Sequence, residues 1–241
     1  MATCWSSAIR EALTSSNAPP CYNSGVRMRR SLTPEIMDNP HVPRDTWERF
    51  HRQLGALHRL LGNHRAILDA LRRHPRSIAR VLDIGCGDGE LLDTIQRDLR
   101  VDVKGIDLRP PPRPVFAVPV LVADATRDRL PDADIAVCVM VFHHLTDDQV
   151  TALVRNAGRS VRRLIVLDAV RHWLPLALFT VFVGPFLMRI VALDGCQSIR
   201  RAYTPLELRA IIENALAGSG ARFVHNVTPF RSRQVLDIMW G

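Results

Sequence analysis

The chain has 241 residues, 47% hydrophobic and 23% charged, with basic side chains exceeding acidic ones by 32 − 24 = 8. Those values fit one globular domain with a sizeable core and exclude a disordered or collagen-like chain. Lys104 is the only lysine, so the excess charge is guanidinium, which suits phosphates, carboxylates and anionic membrane surfaces alike.

The five cysteines (Cys4, Cys21, Cys86, Cys138 and Cys196) are odd in number, widely spaced and without a CxxC. No charged-then-apolar signal segment precedes them, so they read as free thiols in a reducing compartment, and a cytoplasmic protein is expected. No His/Cys/Asp spacing reads as a zinc or iron site, so no metal is expected. No apolar run reaches the roughly 18–20 residues of a spanning helix.

Residues 1–40 are rich in Ser, Asn and Pro, with a basic cluster at Arg27, Arg29 and Arg30. They are expected to be disordered. Met28 is an alternative start, and Glu11 with Pro19-Pro20 fits a transit peptide poorly. Two helices are expected over 45–75. Asp45 and Glu48 can form a capping box, and Trp47, Phe50, Leu54, Leu57 and Leu61 recur at helical steps. Gly62-Asn63 breaks the first helix, and Pro75 stops the second after about Arg73.

Strand-like runs follow at Arg80–Ile84, 101–106, 118–122, Ile135–Val139 and 164–167. Helices lie between most of them, at Glu90–Leu99 and at Asp147–Ala157, which Thr146 and Gln149 cap. This alternation predicts an α/β fold with a parallel sheet covered on both faces. Thr204-Pro205-Leu206-Glu207 opens a further helix that ends at Gly218 and Gly220. Strand candidates Arg222–Val227 and 234–239 follow, joined by a turn at Pro229.

The sharpest local signal is Val81-Leu82-Asp83-Ile84-Gly85-Cys86-Gly87-Asp88-Gly89. An apolar strand enters a GxGxG turn and a helix begins just beyond it, so the backbone can bend tightly and a ligand can approach it. Asp107 ends the next strand, where an acid accepts from ribose hydroxyls. Asp124 and Ala125 follow the third strand. The lack of GK[ST] excludes an ATP-type P-loop. Glu90 stands where a dinucleotide loop has its third glycine, which disfavours NAD.

The segments LDIGCGDGELL (82–92), VADA (122–125) and LPDADIAVCVMVFHHL (130–145), with the acid at 107, resemble the motifs of class I S-adenosylmethionine-dependent methyltransferases. The likeness covers about residues 45–241 and is nearest the small-molecule branch, which includes ubiquinone/menaquinone-type enzymes. LDGCQSIRRAYTPLEL (193–208) is similar to a loop of bacterial relatives that modify phenolic or polyketide metabolites. The resemblance implies a Rossmann-like, doubly wound, mostly parallel seven-stranded sheet with the last strand antiparallel, forming a domain over 41–241. It also implies a helical lid over 171–203, after strand five. Gly85, Cys86, Gly87 and Gly89 would wrap the methionine part of the cofactor, oriented by Asp83. Asp107 and Leu108 would hold the ribose, Asp124 and Ala125 would face the adenine, and Val139 and Met140 would lie beside the methionine part.

Methylation of a hydroxyl requires loss of its proton, and a phenol titrates near about pH 10. His144 and His143, after strand four, are the candidates to assist; the alternative is that the pair only orders its loop. Asp168, His172, Asp194, Arg200, Arg201 and Tyr203 are further pocket or lid candidates. Residues 173–188 are apolar almost all round. They are expected either to be buried under the lid or to serve as a wall for a lipophilic acceptor, with peripheral membrane contact as a further option, flanked by Arg171 and Arg189.

The favoured function is methyl transfer to a small hydrophobic or phenolic acceptor, most simply at oxygen. An RNA or protein methyltransferase competes, prompted by Arg72-Arg73, Arg159, Arg162-Arg163 and Arg200-Arg201. Val139-Met140-Val141-Phe142 stands where a base-amine enzyme would carry N/D-P-P-Y/F, and no RNA-binding appendage is present, so nucleic acid is disfavoured as a partner. A non-catalytic cofactor-binding protein is the remaining alternative.

Overall fold

The computed structural model describes residues 28–39, 41–73, 78–109 and 116–241. The expectations for residues 1–27 and for Pro75 lie outside these. A 3-10 turn at Ile36–Asp38 precedes helices α1 (Arg44–Leu60) and α2 (Asn63–Arg72). Then come β1 (Arg80–Ile84), α3 (Glu90–Leu99), β2 (Asp102–Asp107), β3 (Val120–Val122), β4 (Ile135–Val139), α4 (Asp147–Ala157) and β5 (Arg163–Ala169). The C-terminal part holds α5 (Trp173–Phe182), α6 (Arg189–Arg201), α7 (Pro205–Leu216), β6 (Arg222–Val227) and β7 (Arg233–Met239).

The seven strands order as β3-β2-β1-β4-β5-β7-β6. The first five pair in parallel, and β7 runs antiparallel between β5 and β6. Alternation along each strand feeds both faces, because successive side chains point to opposite sides of a sheet. Leu82 and Ile84 of β1 join Ala136, Cys138, Leu153 and Ile212 in one core layer. Val81 joins Ile135, Val137, Ile67 and Leu92 in the other. Each buried Leu or Ile contributes about 1.5–3 kcal/mol, so the two layers hold the parallel strands between helices. The C-terminal ends of β1, β2 and β4 then open to one side.

Several local expectations need correction. The Asp45–Glu48 capping box is absent: Pro43 occupies the N-cap, Glu48 accepts from Arg44 at 2.7 Å, and Asp45 accepts from Arg49 at 2.9 Å. Val118 lies outside β3, yet it is buried and would meet a β-carbon on Gly89. Helix α7, by contrast, ends as expected: Leu216 is its last residue, Ala217 its C-cap, and Gly218 follows with φ +75°.

The largest departure is at 28–39, expected within a disordered segment. Arg30 stacks on Tyr203 at 3.7 Å and donates to the Leu145 carbonyl at 2.7 Å. Arg171 donates to the Met28 carbonyl at 2.9 Å. Glu35 is 8% exposed. Few apolar residues hold this strap; polar contacts made from distant helices do so, and composition cannot register those.

The apolar stretch 173–188 is not buried as a whole either. Within α5 only Pro175 is buried. Leu174, Leu178, Phe179 and Phe182 line a cavity, and Phe179 packs on a small cluster formed by Phe50, Leu57 and Val191. Trp173, Val181, Phe186 and also Phe182, at the cavity's mouth, are exposed. No helix among the described residues is long and apolar enough to cross a membrane.

Candidate functional site

A cavity of about 1150 Å³ lies over the C-terminal ends of β1, β2 and β4, beneath α1, α5 and α6. Open α/β sheets bind ligands on this edge. Its floor is the glycine turn. Gly85 has φ +76°, and a β-carbon there would collide with Val141 Cγ2, so the main chain itself forms the surface at that point. Gly85 and Cys86 donate their N–H groups to the Ile106 carbonyl at 2.8 and 3.2 Å, which ties the turn to β2. The Cys86 thiol points toward Gly105, and burial pushes its titration far above the ordinary range. Cys86 therefore offers the cavity its backbone, and its sulfur is packed away.

Asp107 closes the turn from the other side. Its Oδ2 accepts from Gly87 N–H at 2.9 Å and its Oδ1 from Arg109 N–H at 2.7 Å. Leu108 sits on the rim, 60% exposed. Asp83 is 2% exposed, and its Oδ1 has no hydrogen-bond partner among the described residues. Burial, reinforced by the charge of Asp107, pushes the Asp83 carboxyl up to about 8. A buried carboxyl oxygen without a donor is costly.

Asp124 differs from the expectation. Its Oδ1 accepts from Thr126 N–H at 2.9 Å and from Thr126 Oγ1 at 2.6 Å, and Arg127 pairs with its other oxygen at 2.8 Å. These bonds, led by those from Thr126, hold the carboxyl below its usual range. The carboxylate shapes its own loop, while Asp124 and Ala125 still border the cavity. Val139 and Met140 also line it, and Met140 adopts φ +58° at the end of β4.

Beyond β4 the chain turns through Phe142–His144 and presents the histidine pair. His143 is 2% exposed. Its backbone N–H donates to Asp168 Oδ2 at 3.0 Å, and its Nδ1 lies 2.7 Å from Asp168 Oδ1. Burial works to raise Asp168, but His143 holds its carboxyl below the usual range. The two imidazoles stand 4.2 Å apart, centre to centre. His144 Nδ1 lies 3.3 Å from Asp38 Oδ1.

Glu35 completes this group, with Oε1 3.5 Å from His143 Nε2 and Oε2 3.9 Å from His144 Nε2. Ser198 Oγ donates to Glu35 Oε1 at 2.8 Å. Burial pushes the Glu35 carboxyl up to about 7 against the pull of His144. Burial also works to raise Asp38, but His144 and then Arg201 hold it well below the carboxylate range. Asp194, 3% exposed, accepts from the N–H groups of Ile36 and Met37 at 2.8 and 3.0 Å and so anchors the strap.

The remaining lid candidates divide. Arg201 borders the cavity, donating to Asp38 and to the His144 carbonyl. Arg200 is exposed. Tyr203 is buried, and its hydroxyl donates toward the Leu145 carbonyl at 2.8 Å. His172 caps α5, accepting from Leu174 N–H at 3.2 Å. Three of the arginines that prompted a nucleic-acid reading are engaged: Arg72 with Asp98, Arg163 with Asp237, and Arg201 with Asp38.

Sequence reasoning missed Glu35 and Asp38, which sit in the strap, and three further histidines. His51 and His58 fall seven residues apart on the cavity face of α1, and His64 is close by on α2. Their helical spacing beside Leu54, Leu57 and Leu61 was the available signal. Burial pushes His51 down to about 4, His58 to about 3 and His64 to about 4, so all three are neutral near pH 7.

The sequence matches the methyltransferase domain family over residues 48–174. No curated protein sequence matches it significantly. The plantazolicin methyltransferase BpumL, solved with a monoazolic desmethylPZN analog and SAH, superposes with a TM-score of 0.62 at 12% identity, covering 82% of this chain and 90% of that one. Human N-acetylserotonin methyltransferase, solved with SAM, gives 0.61 at 16% identity, covering 99% of this chain and 66% of that one. The methyltransferase domain of bacterial CtHen1-C gives 0.54 at 16% identity, with coverages of 74% and 97%. These likenesses carry the fold, and the family match takes in more than half of the residues. The chain belongs to the methyltransferase domain family, with the class I, S-adenosylmethionine-dependent fold.

Proposed function

We propose that the protein transfers a methyl group from S-adenosylmethionine to a hydroxyl of a small, lipophilic, phenol-type acceptor. The observation that carries this is the Asp83 Oδ1, which has no partner among the described residues and is buried at the glycine turn in the same cavity as the histidine pair. An amino-acid ammonium group supplies the donors that this oxygen lacks, and the bare main chain at Gly85 leaves room for the methionine part. Asp107 would then accept from the ribose hydroxyls, beside Leu108. Ala125, with the loop that Asp124 shapes, would border the adenine, and Val139 and Met140 would flank the methionine part. When bound, S-adenosylmethionine supplies a methyl carbon already activated by its sulfonium charge, and it leaves as the neutral thioether.

The protein's task is then alignment, exclusion of water and relief of the acceptor's proton. Alignment contributes on the order of 7–11 kcal/mol in favourable cases. Leu174, Leu178, Phe179 and Phe182 from α5 and Phe50 and Leu54 from α1 supply an apolar wall, which supports a lipophilic acceptor. The exposed Trp173, Val181 and Phe186 on the outer side of the same segment support peripheral contact with a membrane that stores such an acceptor.

His144, with His143 behind it, is the group we assign to easing the proton's departure. His144→Ala is expected to lower kcat about 100-fold, at the low end of what a positioned acid–base group contributes, and to leave cofactor affinity unchanged. Calorimetry with S-adenosylmethionine and a labelled-methyl screen over phenols, quinone precursors, azole peptides and RNA test the whole reading. Saturable binding with turnover only on phenols supports it. No binding by folded protein, or turnover only on RNA, overturns it. Phe182→Ser is expected to raise KM several-fold for long-chain acceptors and to leave short-chain ones unaffected. Equal effects on both would remove the wall's role in selection.

A further inference from the structure

The geometry points to a divalent-cation site of zinc type, formed by His143 Nε2, His144 Nε2 and the Glu35 carboxylate at the acceptor end of the cavity. One ligand atom from each of these residues lies within 4.8 Å of the other two. The His143 and His144 nitrogens stand 3.5 and 3.9 Å from the two Glu35 oxygens. Two ligands on a tetrahedral ion with bonds of about 2.0–2.1 Å are separated by about 3.3–3.5 Å, so an ion would draw the three side chains together from separations of up to 4.8 Å.

The arrangement of hydrogen bonds favours a cation over a simple contact. Each imidazole turns its other nitrogen to a carboxylate: His143 Nδ1 to Asp168 at 2.7 Å, and His144 Nδ1 to Asp38 at 3.3 Å. A carboxylate there takes the Nδ1–H, which fixes the tautomer and leaves a lone pair on Nε2. Two lone pairs then face the Glu35 carboxyl across 3.5 and 3.9 Å, longer than a good hydrogen bond. A cation seated between the three side chains would draw on both lone pairs and on the carboxylate, displacing the proton that burial favours on Glu35. The outer carboxylates are themselves held, Asp38 by Arg201 and Asp168 by the N–H groups of His143 and Ala169. Metal-binding histidines are oriented in this way.

Two imidazoles and a carboxylate suit zinc and its first-row neighbours, and they leave coordination positions open. His144 borders the cavity with its side chain 32% exposed, so the open positions face the acceptor. An acceptor hydroxyl would bind there as its anion, its proton leaving to solvent water. The cation would thereby do for the acceptor what the histidine pair was assigned to do. Sequence spacing could not show this site, because Glu35 precedes His143 by more than a hundred residues and lies in the strap.

The site itself stands independently of the proposed reaction, and the readouts separate the two. Purified protein, stripped with chelator, is titrated with Zn²⁺ by calorimetry and with Co²⁺ by visible absorption, while S-adenosylmethionine binding is measured in parallel. One equivalent of either ion is expected to bind below about 10 μM, with Co²⁺ bands typical of nitrogen and oxygen ligands. Glu35→Gln and His144→Ala are each expected to weaken binding at least 10-fold while cofactor affinity holds. His225→Ala, on β6 and away from the cavity, is expected to change neither. The proposal fails if neither ion binds at 100 μM, or if both variants bind as the parent does. Loss of cofactor binding with metal binding intact would overturn the methyl-transfer reading alone.

Discussion

Asp83→Asn is expected to stabilise the protein without ligand and to weaken S-adenosylmethionine binding at least 100-fold. The buried Asp83 carboxyl titrates at about 8 in the folded chain against 3.8 for the ordinary group. Because the folded value is the higher, stability is fully present below about pH 4 and falls as pH rises toward 8. At pH 7 the deficit approaches about 4 kcal/mol at 1.36 kcal/mol per unit. An amide at this position still lacks a partner, so the net gain from Asn is about 1–3 kcal/mol, worth several degrees in Tm. The pH slope between 4 and 8 should flatten in the same variant. A cofactor ammonium group bound beside Asp83, as the proposed reading has it, would reverse the sign, since it favours the ionised carboxylate. Binding should therefore release nearly one proton at pH 6–7, measurable by calorimetry in buffers of different ionisation enthalpy, and affinity should rise toward pH 8. A variant that binds as tightly as the parent, or binding without proton release, would remove Asp83 from the cofactor's contacts.

The same residue shows what sequence can convey. Asp83, the glycines after it and Asp107 are consecutive or one strand apart, and their meeting at one turn follows from backbone geometry that short-range rules capture. The alternation of strands and helices was legible for the same reason, as were the capping boxes at Thr146 and Thr204, which form as expected. Asp124 was legible in position, while its bonds to Thr126 and Arg127 were not. Whether a loop acid faces a ligand or its own turn depends on Thr126 and Arg127 rotating toward it, and no spacing rule decides that.

The acceptor end was far less legible. Its polar groups come from the strap, from α1 and α2, and from the turn after β4, so most pairs are separated by scores of residues. The histidine pair was visible because it follows a strand. Glu35 was not, because a segment with little apolar surface reads as unstructured when its anchors lie in Asp194, Ser198, Arg201 and Tyr203. Polar anchoring over long range has no periodicity. It is also the arrangement most easily undone by a single change.

Asp194 is therefore the position where one substitution in the strap's anchor should disable the site. Its two oxygens hold the Ile36 and Met37 N–H groups, and a hydrogen bond to a charged group contributes about 1.5–3 kcal/mol. Asp194→Ala removes both and leaves two N–H groups near a buried wall, a loss of about 3 kcal/mol in strap docking. At about 1.4 kcal/mol per factor of ten, the docking equilibrium constant falls about 100-fold, and the fraction of molecules in which Glu35 and Asp38 face the histidines falls by up to that factor. Methyl transfer should drop with that fraction, while cofactor affinity, which the proposed reading places at the glycine turn, should hold. Asp194→Asn keeps one acceptor and should fall between the two. Hydrogen exchange across residues 28–39 gives the direct readout: faster exchange there, with the sheet amides unchanged, accompanies the loss of turnover. If exchange in the strap is unaltered while activity collapses, Asp194 acts on the acceptor itself and the anchoring role is wrong.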